Sequence, residues 1–92
     1  MKIGEVWEQY SRKYPKLIIV CNDTYELVSN ARHNSKGIDK LQKEFDQRNK
    51  SLKELGFIYL NKEFVRDSTV WIWGIDKSEY NRIKDKLVEL EF

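Results

Sequence analysis

Residues 36–60, KGIDKLQKEFDQRNKSLKELGFIYL, decide how the rest of the chain is read. Ile38, Leu41, Phe45, Leu52 and Leu55 recur at the spacing of one helical face, and Arg48 occupies the single place where that apolar stripe is interrupted. Gly56 follows directly. Glycine takes the left-handed backbone that ends a helix without a steric cost, so a helix over 38–55 is predicted to close there and enter a strand at Phe57-Ile58-Tyr59-Leu60. Such a helix is roughly 27 Å long at 1.5 Å per residue, about the width of a small domain, and must be a principal packing element.

Outward from this stretch the signals are local and consistent. Upstream, Ile3, Val6, Trp7, Tyr10 and Tyr14 line one side of a helix that Pro15 stops. Leu17 to Cys21 is an unbroken apolar run, read as a short strand covered on both faces. Asp23-Thr24-Tyr25-Glu26 has the acceptor and the glutamate three residues on that open a helix, here a short one over 24–32 burying Leu27, Val28 and Ala31. His33 to Gly37 reads as a turn. Downstream, Val70 to Trp73 reads as a second strand, joined to the first either by a tight turn near residue 67 or by a nine-residue tip. Asp76-Lys77-Ser78-Glu79 then opens a last helix carrying Tyr80, Ile83, Leu87 and Leu90. The order is α-β-α-α-β-β-α, an α+β chain.

Ninety-two residues make a single domain over 1–92, which buries about 60–65% of its unfolded surface. With 40% apolar and 35% charged residues, the composition suits neither a disordered chain nor a membrane span. The N-terminal MKIGEVWEQY has no apolar core of a secretory leader, so the expected location is cytoplasmic. One cysteine and one histidine leave no internal disulfide and no ordinary zinc site, and no cofactor is expected. Cys21 and His33 are twelve residues apart with a helix between them, and the carboxylates show no acid/base spacing. An enzyme is therefore not expected.

The net charge of +2 and a pI of about 8.6 do not select a partner, but charge is unevenly spread. Between residues 32 and 50 six cations face three acids, while residues 76–92 carry five acids against four cations. Lys36, Lys40, Lys43, Gln47 and Lys50 lie opposite the Ile38/Phe45/Leu52 stripe on a helical wheel. The same pattern arises on any solvated helix face, and Asp39, Glu44, Asp46 and Glu54 offset part of the field.

Leu52-Lys53-Glu54-Leu55-Gly56-Phe57-Ile58, with Trp71 or Trp73 on the returning strand, resembles the close of a recognition helix into the wing of winged helix-turn-helix DNA-binding domains, over about residues 23–75. That resemblance implies a transcription regulator or accessory factor binding double-stranded DNA. Lys36, Lys40, Lys43 and Lys50 would meet phosphates, Gln47 would read an adenine edge, and Lys62 and Arg66 would sit at the tip of a 61–69 hairpin. The competing reading is a ferredoxin-like βαββα with an added N-terminal helix and a central Leu17–Cys21 strand, serving as a protein-interaction module such as a small inhibitor or adaptor. Trp71 and Trp73 share one strand face, suited to stacking bases or to flooring the core, the fate expected of Trp7 too. Tyr80, Ile83, Leu87 and Leu90 form a seam for a homodimer through the 77–90 helix or for the chain's own core. No membrane partner is expected.

Overall fold

The computed structural model describes residues 3–25, 27–29, 37–90 and 92. Helix α1 (Ile3–Lys13) leads into strand β1 (Leu17–Asp23), and the long helix α2 (Ile38–Leu55) into the hairpin β2 (Ile58–Val65) and β3 (Ser68–Asp76). A 3₁₀ turn (Lys77–Glu79) then precedes helix α3 (Tyr80–Glu89). Between β1 and α2, residues 25 and 27–29 are helical, and Asp23 Oδ1 accepts the Tyr25 amide at 2.8 Å as a helix cap. The rest of the helix expected at 24–32, and the turn before Gly37, lie outside the described residues.

All three strands form one antiparallel sheet in the order β1-β3-β2. The β3 strand is central. Its run Val70-Trp71-Ile72-Trp73 offers apolar side chains to both faces, which suits a strand covered on both sides. The Leu17–Cys21 strand, placed centrally in the βαββα reading, is instead an edge strand, paired from Leu17↔Asp76 to Asp23↔Val70. It is nevertheless covered on both faces, because its residues alternate between two cores. Ile18 and Val20 join Leu52, Phe57, Trp73, Ile75, Ile83 and Leu87 under α2 and α3. Leu17, Ile19 and Cys21 join Val6, Tyr10, Val65, Val70 and Ile72 under α1. The sheet is therefore the middle layer, with α1 on one side and α2 and α3 on the other.

The exit from α2 follows the sequence closely. Gly56 has φ 103°, its amide reaches the Lys53 carbonyl at 3.1 Å, and the Phe57 amide reaches the Leu52 carbonyl at 3.0 Å, the paired bonds of a left-handed helix close. Arg82 Nη2 adds a bond to the Leu55 carbonyl at 2.9 Å, so α3 also caps the end of α2. Ile83 is wholly buried and Leu87 nearly so, both packed in the chain's own core, while Tyr80 of the same stripe is 46% exposed. Trp7 is also used differently from the core role expected of it. It is half-exposed and donates its indole N–H to the Ile19 carbonyl at 2.8 Å, tying α1 to β1.

Asn22, near the end of β1, is 1% exposed. Its Nδ2 donates to the Phe45 carbonyl at 3.1 Å and to Asn49 Oδ1 at 2.8 Å, while its Oδ1 accepts from Arg48 Nε at 3.0 Å. Asn49 Oδ1 also accepts the indole N–H of Trp73 at 3.1 Å. This knot joins β1, α2 and β3, and it explains why Arg48 interrupts the apolar stripe. Asn22→Leu keeps the branched shape of the side chain but removes its hydrogen bonds, and is expected to cost about 2–3 kcal/mol, read as a lower urea midpoint at unchanged slope. The hairpin turns tightly at Arg66-Asp67, between the paired Val65 and Ser68, and Arg66 takes φ 57°. Arg66→Gly should raise stability by up to about 1 kcal/mol in thermal unfolding, since glycine relieves the left-handed strain.

Candidate nucleic-acid interface

Burial of Phe45 and Leu52 against the sheet fixes the rotation of α2, and so decides which side chains face solvent. Lys40, Lys43, Gln47 and Lys50 are all exposed on its outer side. Lys36 lies outside the described residues. A groove of about 500 Å³ runs between α2 and the end of α3, lined by Lys40, Lys43, Glu44, Gln47, Arg48, Glu89 and Leu90. The fold thus gathers Lys40, Lys43 and Gln47 at one place and adds Arg48, the residue that interrupts the apolar stripe. Lys50 stands beyond the groove toward the C-terminus of α2.

The electrostatics of this surface are mixed but lean positive. Among the described residues no ion pair engages Lys40, Lys43 or Lys50. Glu89 is drawn to Lys86 at 3.3 Å, and Asp46 accepts from Gln42 Nε2 at 3.1 Å along the helix. Gln47 Nε2 donates to Ser51 Oγ at 3.3 Å, which leaves its carbonyl oxygen outward as an acceptor. Exposed amines of this kind suit phosphate oxygens, which need charge and reach rather than a fixed geometry.

The hairpin residues separate into two places. Arg66 is exposed at the tip, as expected. Lys62, expected beside it, lies within β2 opposite Trp71, because the strands continue to Val65 and Ser68 and leave only a two-residue turn. Its Nζ stands 5.6 Å from the Phe64 ring centre and 5.9 Å from that of Trp71.

Around it the aromatic rings take distinct roles. Phe57 and Trp73 are buried core residues. Trp71 is half-buried, its ring edge-on to Phe45 at 6.2 Å, and Tyr59 lies over Trp71 at 5.3 Å and Trp73 at 5.7 Å. Tyr59 is 48% exposed and Phe64 69%. Trp71 and Trp73, expected on one strand face, are accompanied there by the exposed rings of Tyr59 and Phe64, with Trp71 half-buried beneath them.

On the other face of the sheet, Tyr10 Oη donates to Glu63 Oε1 at 2.8 Å and accepts from Asn61 Nδ2 at 2.6 Å. Burial raises the Tyr10 hydroxyl's pKa above its usual range. Cys21 is also on that side, and burial, aided by the nearby Asp23 charge, pushes its thiol up to about 11. Among the described residues no three His, Cys, Asp or Glu side chains come together to hold a metal ion, and no helix is long and apolar enough to cross a membrane. His33 lies outside the described residues.

The raised thiol has a measurable consequence. Iodoacetamide at mildly alkaline pH should label Cys21 slowly in the folded protein and quickly in urea, and the folded rate should rise only as pH approaches about 11. Since the fold holds this proton more tightly than the unfolded chain does, its contribution to stability is full below about 9 and is lost as pH climbs toward about 11. The chain matches no family model, no curated protein and no solved structure, so its function is argued from the surfaces just described.

Proposed function

We propose that this chain is a small, non-enzymatic DNA-binding protein, a regulator or accessory factor that meets double-stranded DNA with the outer face of α2 and the tip of the hairpin. One observation carries the reading. Lys40, Lys43 and Gln47 are grouped with Arg48 around one groove, and the lysines are not neutralised by ion pairs among the described residues. In this reading the amines of Lys40, Lys43 and Lys50 neutralise phosphates, Gln47 offers an amide to a base edge, and Arg66 extends the contact from the tip.

The architecture bears on this reading without deciding it. Passage of α2 through Gly56 into a hairpin supports the winged-helix resemblance. Other features support the ferredoxin-like βαββα with an added N-terminal helix: β1 and β2 both run antiparallel to β3, α2 and α3 share one core on one face of the sheet, and α1 lies on the opposite face. We favour the second architecture, and the DNA reading therefore rests on the surface and not on the family. A protein-interaction module remains the second reading, favoured by the exposed Ile58, Tyr59 and Phe64 on β2.

Fluorescence anisotropy with a labelled duplex tests the proposal. Affinity should fall as salt rises, with a slope of about 0.9 for each phosphate neutralised. The Lys40→Ala/Lys43→Ala/Lys50→Ala variant should keep its unfolding midpoint, lose most affinity and lower that slope by about one per lysine. A wild-type protein that binds no duplex at low ionic strength would refute the reading.

A further inference from the structure

The alternation of side chains along β2 is broken once, by a register shift between Tyr59 and Asn61 opposite β3. In an unbroken strand, residues 59, 61 and 63 would share a face. The extra residue at this bulge changes that. Tyr59 pairs with Trp73, Lys62 with Trp71 and Phe64 with Thr69, all on the α2 side, while Asn61 and Glu63 turn to Tyr10 on the α1 side. The result is a strip that reads aromatic, cationic, aromatic along an edge strand, with Trp71 half-buried beneath it.

We propose that this strip binds unpaired bases, so that the nucleic acid this protein recognises includes a single-stranded segment laid along β2. The inference rests on the nucleic-acid reading of the chain and names the form of the ligand. Tyr59 and Phe64 are 48% and 69% exposed, and they pair with Trp73 and Thr69, four positions apart on β3, so their rings stand roughly 14 Å apart along the strand, a spacing that two bases separated by one nucleotide on an extended backbone can span. Lys62 Nζ stands between them, close to both Phe64 and Trp71, where it adds the charge that a phosphate requires. The carboxylate that would spoil this, Glu63, is turned through the sheet and held by Tyr10. Arg66 and Asp67 share the tip, so the positive character of the strip rests on Lys62. A second copy pairing along this edge would meet the bulge and the Lys62 charge, both of which oppose edge-to-edge association.

The test uses a labelled single-stranded oligonucleotide of mixed sequence and the duplex of the same length, titrated with wild type and three variants. Tyr59→Ala/Phe64→Ala should weaken single-strand binding by at least about tenfold and change duplex binding little. The conservative Tyr59→Phe/Phe64→Tyr should retain the single-strand affinity and unfold near the wild-type midpoint, and the ring-removal variant, which gives up Tyr59's contacts with Trp71 and Trp73, is titrated below its own unfolding midpoint. The Lys40→Ala/Lys43→Ala/Lys50→Ala variant separates the two claims. If it alone loses duplex binding while the ring-removal variant holds single strands as wild type does, the strip is overturned and the α2 surface stands. Loss confined to single strands in the ring-removal variant supports the strip even where the α2 surface fails. If neither nucleic acid binds, or if the rings prove to drive dimerisation instead, the inference is overturned.

Discussion

The fold depends on a buried asparagine. At the end of β1, Asn22 reaches into the space where α2 crosses the sheet and bonds with the Phe45 carbonyl, Asn49 and Arg48, while Asn49 carries the bond on to Trp73. Apolar packing sets how deeply a helix lies on a sheet and which stripe it turns inward, but not its position along its axis, because dispersion and hydrophobic burial are non-directional. Hydrogen bonds with fixed partners supply what packing lacks. A half-satisfied version of the same network would be worse than an apolar contact, so its completeness specifies one register of α2 over β1 and β3.

Rotation from the apolar stripe and position from the knot together fix which residues of α2 reach solvent. With Phe45 and Leu52 inward, Lys40, Lys43 and Gln47 are turned outward toward the end of α3. Arg48 falls between the two roles. Its Nε is tied to Asn22, while the side chain also lines the groove, so one residue couples the structural knot to the cationic surface. The other exposed surface, on β2, is set by the bulge and meets the knot where Tyr59 packs on Trp73. The two surfaces differ in chemistry, one made of flexible amines and the other of rings around a single amine.

Much of the architecture was legible in the sequence where a local chemical rule had no competitor. Pro15, the Gly56 exit, the Asp76 cap and the helical stripes each needed only their neighbours to be read, and the structure places elements there. Asparagine after an apolar run usually marks a turn, so Asn22 carries no local sign of a buried role. Nothing local shows that its partners lie 23 to 27 residues away. Lys62 was placed at a hairpin tip for a similar reason. The length of the turn depends on how far the two strands pair, which their side chains settle jointly.

By itself the sequence determined the kind and order of the elements, the apolar stripes that must be covered, and the uneven charge along α2. Those are properties of short windows, where spacing and backbone preference act within a turn or two of the chain. Only the tertiary structure decided that β3 is central and that α1 takes the sheet face opposite α2. It also decided that Ile83 and Leu87 of the 77–90 helix enter the chain's own core, and that one extra residue near Leu60 sets Tyr59, Lys62 and Phe64 on a common face. These depend on pairings between distant segments. A strand's side-chain period is two, so a single inserted residue exchanges faces for everything beyond it.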